Sequence, residues 1–175
     1  MDGARLFNLP LHSGKSIAEY AALFDTVYVS LWKHFNAASG AMLAGTGEFI
    51  EGLYHTRRMF GGSLPHAWPV IAPVMQYVDS YQTDYAKAWL ATDQLISMLQ
   101  ASGRFDIRKL SNGTSRFFLK PSGVKADMFY ERVSKAGVLM PQANADIGEF
   151  AMQVNPSVLR MSPAAIAHIF IGATS

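Results

Sequence analysis

The sequence predicts an α/β fold that passes into a small α+β domain. Three observations predict it. Near the N-terminus a helical pattern over residues 15–24 runs straight into a short β-branched stretch over 26–31, the alternation of an α/β unit. An aromatic stripe then recurs at helical spacing over 68–102 and stops at Gly103. Beyond Gly103 the pattern changes to short strands, 116–119 and 150–154, among helical stretches at 125–136 and 162–170.

Taken in order, Ile17, Tyr20, Ala21 and Phe24 share one face of the first helix, and Ser13 is its expected cap. TVYVSL over 26–31 combines β-branched and aromatic residues and reads as a buried strand. AMLA over 41–44, closed by Gly45, reads as a second strand. Residues 46–60 read as one helix with Phe49, Ile50, Leu53 and Tyr54 on its apolar face. Arg57 and Arg58 lie near its C-terminal end, where cations suit the helix dipole, and Gly61-Gly62 stops it. Over 68–102 Pro69 and Pro73 fall in the first turns. Tyr77, Tyr81, Tyr85, Trp89, Ile96 and Leu99 form a stripe expected to be core or subunit interface. The expected domains are therefore 1–103 and 104–175.

Composition excludes several functions. The chain has 175 residues, 50% apolar and only 16% charged, which suffices for a core and leaves apolar surface for a partner. Its net charge of +2 lacks the clustered cations that nucleic acid or an anionic membrane would require. Without cysteine there is no disulfide, thiolate nucleophile or cysteine zinc site. Residues 1–10 carry Asp2, Arg5 and Asn8 and do not read as a signal peptide. The apolar stretches at 67–78 and 164–173 are too short to span a bilayer, so a cytoplasmic protein is expected. His34, His55 and His66 are dispersed and form no ligand cluster, so no metal is expected.

The most informative pair is Asp2 and Lys33. They stand about 30 residues apart, the span of a βαβ crossover, with a helix and a strand between them. If a strand ends at Asp2, both residues stand at the carboxyl ends of parallel strands, where open α/β sheets bind ligands. A carboxylate and an amine side by side there suit pyridoxal phosphate. The lysine forms a Schiff base, and the acid keeps the pyridine nitrogen protonated. Spacing alone leaves two other readings open: a lysine after a strand is commonly a solvated residue, and Asp2-Gly3 is also a turn signal.

The wording of the chain goes further. DGARLFN at 2–8, FDTVYVSLWKHFNAASGAMLAG at 24–45 and RRMFGG at 57–62 resemble, in order and distance, the threonine aldolase/aromatic amino acid β-eliminating lyase family. These motifs cover residues 2 to about 80, with a looser likeness to about 170. The resemblance implies a pyridoxal-phosphate enzyme of the aspartate-aminotransferase fold. The chain would hold part of its large domain, a mostly parallel sheet with helices, followed by the small C-terminal domain. It implies that Asp2 meets the pyridine nitrogen, Arg5 lies beside Asp2 and the ring, Lys33 forms the Schiff base, and Arg58 contacts substrate or phosphate. Ser30, three residues before Lys33 at the strand end, is a further candidate for a phosphate oxygen. The implied activity is cleavage of the Cα–Cβ bond of a β-hydroxy amino acid, or β-elimination, by a homodimer or homotetramer. The alternative is a non-catalytic remnant.

The sequence also departs from that pattern. The family's early strands, phosphate loop and ring-stacking residue precede the DGAR motif, so the resemblance implies that they lie outside this chain. GGSLPH at 61–66 replaces a glycine-rich segment with an arginine, whose place is taken by Pro65. Ala151 stands where an arginine clamps the substrate carboxylate, and Arg160 lies nine residues on. A bidentate guanidinium is the natural partner of a carboxylate, so specificity for plain threonine is not implied.

Overall fold

In the computed structural model, which describes residues 1–175, the helix expected over 15–24 is shorter and starts later. α2 spans Ile17–Ala21, and its cap is Ser16 rather than Ser13. Ser16 and Glu19 form a reciprocal capping box, which satisfies two otherwise orphaned backbone donors. The Ser13 hydroxyl instead donates to the Leu9 carbonyl at the end of α1, Leu9–Ser13, a helix that the sequence pattern did not predict. A 3-10 turn over Leu6–Asn8 precedes α1.

The strand expectations hold closely. β1 is Val27–Ser30 and β2 is Ala41–Ala44, paired antiparallel with Ser30 opposite Ala41. On the other side of β1, Asp2 makes a parallel bridge with Tyr28. The Tyr28 N–H donates to the Met1 carbonyl (3.0 Å), and the Gly3 N–H donates to the Tyr28 carbonyl (2.8 Å). Of the mostly parallel sheet implied by the resemblance, this chain carries that one parallel step. Val27 and Val29 are buried with Leu6, against Phe7, Ile17 and Tyr20. By strand alternation Tyr28 and Ser30 face the other way.

The single helix expected over 46–60 is two, α3 (Gly47–Glu51) and α4 (Leu53–Met59), interrupted at Gly52. Glycine weakens a helix interior because it carries the largest backbone entropy. Thr46 caps α3 by accepting the Phe49 N–H. The expected apolar face is not buried: Phe49, Ile50 and Tyr54 are exposed. The stripe over 68–102 is also divided, into α5 (Trp68–Tyr77) and α6 (Tyr81–Ala101). Asp79 and Ser80 lie in the break, and both residue types are weak formers of a helix interior.

The chain forms two compact units, Met1–Thr83 and Asp84–Ser175, which meet near the start of α6. Ala88, Leu95, Ile96 and Leu99 of α6 belong to the core of the second unit. That unit holds an antiparallel sheet in the order β3 (Phe105–Lys109), β4 (Arg116–Pro121), β5 (Phe150–Gln153). α7 (Ala126–Lys135) and α8 (Pro163–Ala173) complete it. Phe129 of α7 is fully buried and meets the rings of Phe105, Phe150 and Phe170 at 5.5–5.8 Å. β3 was not expected. Three of its five residues are charged, as suits an edge strand.

Candidate functional site

The site is built where β1 ends. Gly3 is buried under the parallel bridge, and a Cβ there would lie 2.8 Å from the Tyr28 carbonyl oxygen, so only glycine fits without moving the strand. This close approach brings Asp2 alongside β1. The Asp2 carboxylate accepts the Ala4 N–H at 3.0 Å, which shapes the turn leading to Arg5. The side chain of Asp2 is exposed and Arg5 is partly buried.

After Ser30 the chain bends in one turn, with the His34 and Phe35 N–H groups both donating to the Leu31 carbonyl (3.4 and 2.9 Å). Leu31, His34 and Phe35 point inward, while Trp32 is exposed and Lys33 is half-exposed. The Lys33 ammonium lies 5.1 Å from the Trp32 ring centroid, within cation–π range. The loop closes through the Leu31 N–H on the Gly40 carbonyl (3.1 Å). Gly40 has φ +97, and a Cβ there would lie 2.8 Å from Val70 of α5.

Beneath Lys33 lies a cage of four rings. His34 stands 5.6 Å from Phe7, 5.5 Å from Phe35 and 4.8 Å from Tyr81. Phe7 meets Phe35 edge-on at 4.9 Å, a favoured aromatic geometry. The buried Tyr81 hydroxyl donates to the Asn8 side chain at 2.8 Å. His34 is 6% exposed, and neither ring nitrogen has a partner at ordinary hydrogen-bond geometry. Its pKa is pushed down to about 4, first by burial and then by the Arg5 charge, with a smaller contribution from Lys33 and partial opposition from the Ala4 backbone. The two cations that act on this one ring bring the Asp2–Arg5 turn and Lys33 into one neighbourhood.

Of the sequence-predicted site residues, Asp2, Arg5, Ser30 and Lys33 thus gather at the end of β1. Ser30 is fully buried, and its hydroxyl has no partner. Arg58 is exposed on the last turn of α4 and engages Tyr54, donating to its hydroxyl (3.4 Å) with the guanidinium 5.5 Å from the ring centroid. None of these contacts reaches Asp2 or Lys33. Sequence reasoning missed the cage. His34 was weighed only as a metal ligand, and Asn8 and Tyr81 meet across 73 residues. The available signal was a histidine beside the lysine, between inward-facing apolar positions.

Comparison with known proteins fits this geometry. Residues 1–130 match the family described as beta-eliminating lyase. A low-specificity L-threonine aldolase of Candida albicans is 35% identical over 79 residues, covering 45% of this chain and 21% of that protein. The low specificity L-threonine aldolase of Saccharomyces cerevisiae is 33% identical over 63 residues, 36% of this chain and 16% of that protein. A solved chain from Exiguobacterium sp. 255-15, described as an aromatic amino acid beta-eliminating lyase/threonine aldolase, superposes with a TM-score of 0.76 at 25% identity. It covers 98% of this chain, which spans 51% of that chain. A Leishmania major threonine aldolase shares the fold, with a TM-score of 0.63 at 14% identity, over 98% of this chain and 49% of its own.

Proposed function

Because the chain belongs to the beta-eliminating lyase family, we propose that it supplies the lysine-bearing part of a pyridoxal-phosphate-dependent lyase of amino acid metabolism. The reaction is cleavage of the Cα–Cβ bond of a β-hydroxy amino acid or loss of a β-substituent. The observation that carries this reading is the parallel bridge at Asp2–Tyr28, which sets a carboxylate beside the strand leading to Lys33.

The residues present fit pyridoxal 5'-phosphate. Asp2 offers a carboxylate for the ring nitrogen, Lys33 an amine for the aldehyde, and Ser30 a buried hydroxyl without a partner for a phosphate oxygen. When bound, the cofactor supplies an electron sink for the bond that breaks. Asp2 would hold the cofactor's ring nitrogen in its protonated form, and Arg5 lies in the same turn. Lys33 Nζ would hold the cofactor through its aldehyde and, when free, would take or return a proton at the substrate. Arg58 supplies a cation for the substrate carboxylate, which requires its guanidinium to leave Tyr54.

On this reading residues 1–103 close the cofactor domain and 104–175 form the small domain of a cytoplasmic enzyme. Assembly into a homodimer or homotetramer is supported by the exposed Met59, Phe60, Trp68 and Met75. The test is to add pyridoxal 5'-phosphate to the chain and reduce with borohydride. A pyridoxyl label on Lys33, absent in Lys33→Ala, supports the cofactor reading. A folded protein that takes no label favours the non-catalytic remnant.

A further inference from the structure

We propose that His34 is a positioning residue: its uncharged ring pins the Leu31–Phe35 turn, and with it Lys33, against the Asp2–Asn8 segment. The proposal deepens the reading of Lys33 as the cofactor-bearing amine and rests on it.

The reasoning starts from cost. A buried imidazole with no well-aligned hydrogen bond to either nitrogen, only the weaker interaction with the Ala4 backbone, is more expensive to fold than a phenyl ring of similar shape, because its polar atoms recover little of their lost hydration. Packing alone would therefore favour phenylalanine. What His34 adds is its position. It is the residue next to Lys33, and its neighbours are Phe7 from the 3-10 turn, Phe35 from its own turn and Tyr81 from α6. The 3-10 turn continues directly from the turn that carries Asp2 and Arg5: the Leu6 N–H donates to the Gly3 carbonyl (2.8 Å) and the Asn8 N–H to the Arg5 carbonyl (3.1 Å). Tyr81 is fixed in turn by Asn8. The cage therefore ties the Asp2 segment to the Lys33 segment through side chains, independently of the strand pairing at Tyr28.

The charges acting on His34 are Arg5 from the N-terminal turn and Lys33 from its own turn, both positive. Tyr81 is the other titratable ring facing it, and its hydroxyl is committed to Asn8. A proton on His34 would stand between two cations in an aromatic cage, so the charged ring leaves and the turn opens. With the ring's pKa at about 4 in the cage against 6.5 when free, opening becomes about thirtyfold more favourable between pH 8 and pH 5.

The experiment follows amide hydrogen exchange at Phe35, whose N–H closes the turn, in the full chain from pH 8 to pH 5, corrected for the intrinsic exchange rate. Wild type, His34→Phe and His34→Ala are compared. Pyridoxal 5'-phosphate affinity at pH 7.5, read by absorbance and by label on Lys33, is the second measurement. The expected result is a rise in the opening constant of about thirtyfold for wild type and a flat profile for His34→Phe, which keeps the ring but cannot charge. His34→Phe should retain cofactor affinity, and His34→Ala should weaken it on the order of tenfold through the hole it leaves. The proposal is overturned if His34→Phe follows the wild-type pH profile, or if His34→Ala loses protection at Phe35 yet binds the cofactor as tightly as wild type. If no variant takes the cofactor but the exchange pattern appears as described, the cofactor reading falls and the pin stands.

Discussion

Acid should destabilise the first unit through His34 in a way that a single substitution removes. The unfolded ring takes up a proton near pH 6.5, whereas the folded ring does so only near pH 4. Between those values the unfolded chain binds more protons, so stability is full above about pH 6.5 and is lost as pH falls toward 4. At pH 5 the differential protonation is about thirtyfold, or about 2 kcal/mol of stability lost relative to pH 8. The ring is 6% exposed, so solvent screening takes little from this figure. Urea unfolding at pH 8, 7, 6 and 5 measures it. In a Trp89→Phe background the emission reports Trp32 and Trp68, both in the first unit. The difference between His34→Phe and wild type should widen by about 2 kcal/mol from pH 8 to pH 5. Parallel curves would refute the reasoning, since a histidine that titrates alike folded and unfolded contributes no slope.

Three further outcomes follow from the geometry. Gly3→Ala should cost about 1–3 kcal/mol in urea unfolding and abolish the label on Lys33, because its Cβ meets the Tyr28 carbonyl at 2.8 Å and pushes Asp2 away from β1. Phe129→Ala should cost about 3–5 kcal/mol, read by thermal melting of the second unit, because its ring is fully buried against Phe105, Phe150 and Phe170. Arg58→Ala should leave stability within about 0.5 kcal/mol, since the side chain is exposed and holds only Tyr54. If Arg58 meets the substrate carboxylate, the same variant raises KM for the amino acid while leaving the label on Lys33 intact.

The sequence exposed those parts of the fold whose signals are local. β1 and β2 were found because a β-branched run and a glycine mark them within a few residues, and Gly103 ended the long helix through its left-handed backbone, φ +69. The α1 helix was hidden because Pro10 near its start reads as a breaker, although proline suits a first turn. β3 was hidden because its charges, Asp106, Arg108 and Lys109, suit a loop as well as a sheet edge. The candidate site divides the same way. Asp2 and Lys33 could be paired from the sequence because they stand about one crossover apart. The cage was not legible, because Phe7, His34 and Tyr81 meet only after the chain has folded back, and no periodicity connects them. Arg58 was placed by motif alone, and its partner is the tyrosine one helical turn before it.

The loop that carries Lys33 is anchored at separate points: Gly40 against Val70, the Leu31–Gly40 closure, and the rings of His34 and Phe35. Between these anchors Trp32, Asn36, Ala38 and Ser39 face outward. Under the proposed lyase reading, drift in the accepted substrate has its freest ground at Ala38 and Ser39, because Trp32 meets the Lys33 ammonium and Asn36 holds a left-handed backbone, φ +55. The anchors have no such freedom. Laboratory evolution of new substrate preference from this scaffold should accumulate its changes at Ala38 and Ser39 and leave Gly40 and Phe35 as they are.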